Sequence, residues 1–146
     1  MFTAPAQESL ARARREADRL HSTIVGNSHW LLGLRTLKES TAQRLLRSLD
    51  VVLESGAGTF EQRAAEAEEF DHRGSMPYTP AFKSALARAL EVEDERANTI
   101  EVGTHQILLA MLETDLTVAI DLATLGVTAL IWRAKIEEMD PASLKE

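Results

Sequence analysis

The side chains best suited to hold a metal are the four histidines, His21, His29, His72 and His105, and they are scattered along the chain. No His-x-x-x-His pair puts two imidazoles on one helix face, and cysteine is absent, so neither common zinc ligand set can form. Hydrolysis by a serine would need a nucleophile on a strained turn, and no Gly-x-Ser-x-Gly segment occurs. ATP binding of the P-loop kind needs Gly-x-x-x-x-Gly-Lys-Ser/Thr, which is also missing. Carboxylates are plentiful, but Glu8, Glu16 and Asp18 are interleaved with Arg12, Arg14 and Arg15 at helical spacing. That pattern is a solvated helix face with ion pairs rather than a poised acid and base. These residues predict a protein that is not an enzyme, with no cofactor and no metal.

Binding is the chemistry that remains, and the residues that could perform it recur. VGNSHWLLGL (Val25–Leu34) is echoed by VGTHQILLAM (Val102–Met111), with Gly26 and Gly103 separated by 77 positions (103 − 26). The copies differ most at the polar letters after the glycine, where Ser28 stands opposite His105. FTAPAQESLARA (Phe2–Ala13) is echoed by YTPAFKSALARA (Tyr78–Ala89) at an offset of 76 (78 − 2), so Phe2 and Tyr78 are equivalent. A period this long exceeds that of a solenoid and indicates two copies of one small unit.

Each copy resolves into about four helices, and the fold class is all-α. Leu10, Ala13, Ala17, Leu20 and Ile24 recur every three or four residues, the stripe of a buried helix face. Thr3 before Pro5, and Thr79 before Pro80, pair a hydroxyl cap with a ring tolerated in the first turn. Gly26 and Gly103 are expected to end the first helices, with Ser28 and Thr104 capping the short apolar helices that follow. Ala42, Leu45, Leu46 and Leu49 mark a third helix, matched by Val118, Ala119, Leu122 and Leu125. Thr59 with Gln62 suggests a capping box ahead of a fourth helix carrying Phe60, Ala64 and Ala67, matched by Trp132, Ile136 and Met139. Repeat one covers about residues 2–70, a turn-rich connector 71–77, and repeat two about 78–139. So short a connector predicts that the two units pack as one pseudo-symmetric domain over 1–146.

Composition narrows the partners. A chain of 146 residues fits one domain and can bury a real core without disulfides. The net charge of −7 and the lack of a basic face argue against nucleic acid. The most apolar stretch, Val118–Trp132, is interrupted by Asp121 and Gly126 and is too short to span a bilayer. No charged start followed by an apolar run suggests a signal peptide. With no cysteine either, the expected setting is the cytoplasm.

An opening Phe/Tyr-Thr, a long helix, and then Gly-Thr-Glu-His leading into a short leucine-rich helix, all present twice, is the pattern of the Clp N-terminal (Clp repeat) domain family. This chain resembles it from Phe2 to about Met139. MPYTPAFKSAL (Met76–Leu86) is similar to the family opening Ile-Pro-Phe-Thr-Pro-x-Ala-Lys. STAQRLLRSLDVVLE (Ser40–Glu54) aligns without gaps to Gly-Val-Ala-Ala-x-Val-Leu-x-x-Leu-Gly-Val-x-Leu-Glu. The resemblance implies a non-catalytic module that binds protein or peptide substrates and adaptors for a ClpC- or ClpA-type AAA+ unfoldase. Wide departures from the pattern favour a free-standing member over the excised front of a longer chain. Two other functions are kept open: sequestering cyclic-peptide antibiotics, and regulatory oligomerisation unrelated to proteolysis.

The resemblance also implies where ligands would sit. ClpC-type members place a glutamate in each Gly-Thr-Glu-His, and the two carboxylates are implicated in pairing with the guanidinium of phosphoarginine. Ser28 and His105 stand at those positions, and neither supplies a fixed negative charge, so phosphoarginine recognition is not expected. A groove between the repeats binds cyclic peptides in that group, through an aromatic and a lysine matched here by Tyr78 and Lys83. Pseudo-symmetry is expected to bring Phe2 to the same seam, unless the two aromatics only plug the ends of their bundles. Phe82 occupies a family alanine position and would fill part of such a groove.

Overall fold

A computed structural model describes the backbone of residues 1–66, 78–96 and 101–146, and the side chains of all of these except 92–96. The expected connector at 71–77, with His72, and the expected core position Ala67 lie outside the described residues. The protein is all-α. Among the described residues there are eight α-helices: α1 Ala4–Arg19, α2 Asn27–Leu34, α3 Thr41–Ser48, α4 Ala57–Glu66, α5 Pro80–Arg96, α6 Thr104–Thr114, α7 Leu116–Leu125 and α8 Ala129–Glu138. Two 3-10 turns, Leu53–Gly56 and Pro141–Leu144, accompany them. No single described helix is long and apolar enough to cross a membrane.

The first helices start as their sequences predict. Thr3 Oγ1 accepts the Ala6 N–H at 3.1 Å, and Thr79 Oγ1 accepts the Phe82 N–H at 3.1 Å. In each case a hydroxyl satisfies one of the amides that a helix start leaves unpaired. α1 buries Ala6, Ser9, Ala13 and Ala17, while α5 buries Phe82, Ala85 and Ala89 in the same register. Leu10 and Leu20 are only partly buried, and Ile24 reaches the core from the loop after α1.

Small residues on α1 let α2 approach its backbone. A Cβ on Gly33 would lie 2.9 Å from the Ala13 nitrogen and 2.9 Å from the Arg12 carbonyl carbon, so the helices touch where the side chain is missing. Trp30, fully buried on α2, donates its indole N–H to Ser9 Oγ at 2.8 Å. That bond satisfies both polar groups inside the core. In the second repeat Trp132 of α8 instead donates to the His105 carbonyl at 2.9 Å. One contiguous core joins the halves, with Trp30 and Phe60 from the first and Phe82 and Trp132 from the second.

Three expected helix boundaries differ. Gly26 and Gly103 do not end the first helices; they are the N-cap residues of α2 and α6, in extended conformation. Ser28 and Thr104 therefore lie inside the first turns they were expected to cap. The reason is visible three residues on, where a side chain reaches back to each glycine. His29 Nδ1 accepts the Gly26 N–H at 2.9 Å, and Gln106 Oε1 accepts the Gly103 N–H at 2.7 Å. Thr59 likewise lies within α4, because the 3-10 turn Leu53–Gly56 leads directly into that helix.

Candidate functional site

The two repeats are joined by a pair of crossed backbone bridges. Tyr78 pairs with Val25 in one and Phe2 pairs with Val102 in the other, both parallel. The Thr79 N–H donates to the Val25 carbonyl at 2.8 Å, and the Thr3 N–H donates to the Val102 carbonyl at 3.0 Å. Each repeat thus holds the start of its partner's first helix against the start of its own short second helix. The result is two equivalent junctions: Thr79 beside Gly26 and Asn27, and Thr3 beside Gly103 and Thr104.

The first junction is open. A pocket of about 280 Å³ lies against it, bordered by Asn27, Ser28, Arg63, Glu66, Thr79 and Asp115 among others. Thr79 packs so closely that a Cβ on Gly26 would sit 3.1 Å from its methyl group. His29 is buried and its Nδ1 accepts from the Gly26 N–H, so the ring proton is on Nε2, 3.0 Å from Ser22 Oγ. Burial lowers the pKa of His29 against a smaller opposing pull from Glu16, which keeps the ring neutral. Asp115 caps α7 by accepting the Thr117 and Val118 N–H groups, and its other oxygen accepts from Asn27 Nδ2 at 2.7 Å. Arg63 is committed to Asp121 through two bonds of 3.0 and 3.1 Å. Asn27 is 5% exposed, and its Oδ1 has no partner among the described residues. A buried acceptor at a pocket wall is a place for a ligand that donates a hydrogen bond.

The second junction is filled. The side-chain carboxylate of Glu146 sits in it and accepts four hydrogen bonds from three elements. Oε1 receives the Thr3 hydroxyl at 2.7 Å and the Thr104 N–H at 2.9 Å. Oε2 receives the Thr41 N–H at 2.7 Å and the Thr104 hydroxyl at 2.6 Å. The two amides belong to the first turns of α3 and α6, whose dipoles favour a negative group there. Burial alone would raise the carboxyl pKa, but the bonds from Thr104, Thr3 and Thr41 outweigh it and hold the group below the ordinary range. Gly103 is needed here too, since a Cβ on it would lie 2.9 Å from Glu146 Oε1.

The residues singled out from the sequence divide between these junctions. Ser28 borders the open pocket. His105 is buried at the second junction, in the first turn of α6. Phe2 and Tyr78 are half-buried, one at each bridge. Tyr78 meets Phe82 at 4.7 Å between ring centroids, and the Arg14 guanidinium carbon lies 5.7 Å from the centroid of the Tyr78 ring. Phe82 is fully buried, so the bulk at this family alanine position goes into the core. Lys83 is exposed on α5 and does not border the pocket, which meets that helix at Ala81. Sequence reasoning missed Asn27, Asp115 and Glu146. The repeat alignment could have found Asn27, since it is the counterpart of Thr104 (27 + 77). Among the described residues no group of three or more His, Asp or Glu could hold a metal.

Comparison with known proteins follows the same architecture. The profile of the Clp repeat (R) N-terminal domain matches residues 1–124. The ATP-dependent Clp protease ATP-binding subunit ClpC of Staphylococcus aureus is 32% identical over 118 residues, covering 81% of this chain but 14% of that protein. The ClpC of Staphylococcus saprophyticus is 31% identical over 118 residues, with the same coverage. Among solved structures, the N-terminal domain of the caseinolytic protease associated chaperone ClpD from Arabidopsis thaliana superposes with a TM-score of 0.71 at 19% identity. That match covers 92% of this chain and 90% of the other. The Hsp104 N-terminal domain from Candida albicans gives 0.74 at 14% identity, covering 94% and 89%. At such identities the structural likeness speaks to fold.

Proposed function

This chain belongs to the Clp repeat N-terminal domain family, and from that membership we propose that it is a non-catalytic docking module of a Clp protease system. It holds a protein or peptide segment, from a substrate or an adaptor, at or beside an AAA+ unfoldase. A cysteine-free chain suits the reducing cytoplasm, where this reading sets it. The observation that supports docking is the open first junction, with its buried, unpartnered Asn27 Oδ1 beside the Asp115 carboxylate. A peptide carrying N–H or guanidinium donors would satisfy that acceptor and place its chain along the seam between the repeats. Nothing about the pocket calls for bond chemistry: Arg63 is engaged with Asp121, Asp115 with Asn27 and the start of α7, and His29 is neutral and bound at both nitrogens.

Affinity capture from a native extract tests this reading. The immobilised protein should retain substrates or adaptors of a Clp protease, or the unfoldase itself. Ala81→Arg, which puts a long side chain at the exposed rim of the pocket, should lose them. Retention of only further copies of the same chain would favour an oligomerisation module instead.

A further inference from the structure

The contact that fills the second junction is made by a short segment, half of it exposed, whose Leu144 packs half-buried against the core. Pro141, Ala142 and Lys145 are exposed, and the carbonyls of Ser143 and Leu144 receive only long bonds, from Arg44 at 3.3 Å and Thr41 at 3.4 Å. The strong bonds of the segment converge on one group, the Glu146 carboxylate, with two donors on each oxygen.

The donors are fixed in that role. Thr3 Oγ1 already accepts the Ala6 N–H and Thr104 Oγ1 already accepts the Ala42 N–H, so each hydroxyl proton is turned toward the carboxylate. Two further donors are backbone amides and cannot reverse. Four donors arranged around two oxygens form a receptor for a group that only accepts, and a carboxylate fits while an amide does not. The equivalent place at the first junction is an open pocket, so filling is not required by the architecture.

We propose that Glu146 is a tethered internal ligand: residues 141–146 occupy, and so close, a carboxylate-binding site at the second junction that an acidic side chain of a partner takes by displacing them. Only the identity of the competitor rests on the docking reading; the site itself does not. A segment held through one carboxylate and one half-buried leucine competes through its high local concentration rather than through a large interface.

The test removes residues 141–146 and supplies them in trans. An amidated peptide of residues 139–146 is titrated into the shortened protein, and the amide resonances of Thr41 and Thr104 are followed. The peptide should bind and shift both amides, the same peptide with Glu146→Gln should bind at least tenfold more weakly, and the intact protein should respond to neither. No binding to a folded shortened protein, or equal binding of the two peptides, overturns the proposal. If the shortened protein does not fold, the full chain with Glu146→Ala is titrated under the same criteria. If that variant is also unfolded, Glu146 is a structural clasp and the proposal fails. Capture at the first junction judges docking separately, so either reading can fall without the other.

Discussion

The Thr104 hydroxyl donates to Glu146 Oε2 at 2.6 Å, across 42 residues of sequence, while accepting the Ala42 N–H of the other repeat. One side chain thereby ties α3, α6 and residues 141–146 together. Hydrogen bonds to a charged group contribute about 1.5–3 kcal/mol each when well formed, and partial exposure of Glu146 argues for the low end in total. Glu146→Gln should therefore cost about 1–3 kcal/mol at pH 7, because its amide turns donors against donors. The folded-state pKa lies below the ordinary 4.5, so the contribution is fully present above that value and disappears as pH falls through the folded one. Urea melts of both proteins at pH 7 and at successively lower pH should show the difference closing only on the acid side.

His29 and Gln106 do the same work at equivalent places, each accepting an N-cap glycine N–H. Only one of them titrates. Burial holds the His29 pKa below its ordinary 6.5, so the unfolded chain binds a proton that the folded one refuses. Stability should consequently fall as pH drops from above 6.5 toward the folded value. His29→Gln copies the second repeat into the first, and should flatten that pH dependence while keeping α2 intact. Denaturation at pH 7.5 and 5.5 would show it; an unchanged slope in the variant would place the dependence elsewhere.

Gly33 is where α1 and α2 touch backbone to backbone. In an isolated helix Gly→Ala would stabilise by about 1 kcal/mol. Here the new methyl would meet atoms that cannot rotate away, and overpacking of this kind costs about 1–3 kcal/mol. Gly33→Ala should lower the urea midpoint, and a higher midpoint would mean that the two helices can part without loss.

Leu32 and Leu109 are equivalent letters of the repeat, and on sequence alone both belong in the core. The structure separates them: Leu32 is fully buried, whereas Leu109 is half-buried and the core position beside it is Leu108. Leu32→Ala should cost about 2–5 kcal/mol, the range for a buried leucine that leaves a cavity, and Leu109→Ala clearly less. Equal losses in chemical denaturation would contradict the half-burial of Leu109.

The same limit explains what was legible beforehand. Helices, caps and the twofold repetition follow from local spacing, and the Thr3 and Thr79 caps could be read directly. The glycine boundaries differ from expectation because glycine has no capping side chain of its own, and the support comes instead from His29 and Gln106, three residues on. The crossed bridges and the Glu146 cradle were illegible, since their partners are separated by 53 residues (78 − 25), 100 residues (102 − 2) and 143 residues. Pseudo-symmetry pointed to a seam between the repeats; it did not tell that the seam has two ends, one open and one occupied.

If the open end holds a partner as proposed, Tyr78 and Lys83 should contribute unequally. Tyr78 precedes Thr79, whose side chain borders the pocket, and its ring is braced by Phe82 and faced by Arg14. Tyr78 does not itself line the pocket but adjoins it through Thr79, and a braced aromatic loses little entropy when a partner covers it, the condition under which truncation commonly costs 2 kcal/mol or more, ~30-fold in affinity. Tyr78→Ala should weaken any captured peptide or cyclic-peptide partner by about tenfold or more, since the ring is only half-buried in the free protein. Lys83 is exposed and off the pocket, so Lys83→Ala should weaken binding less, through steering alone. Calorimetry of both variants with a captured partner, with circular dichroism as the control for folding, measures the two effects. Unchanged affinity in a folded Tyr78→Ala protein, with Ala81→Arg still blocking, would confine recognition to the polar wall formed by Asn27, Ser28 and Asp115.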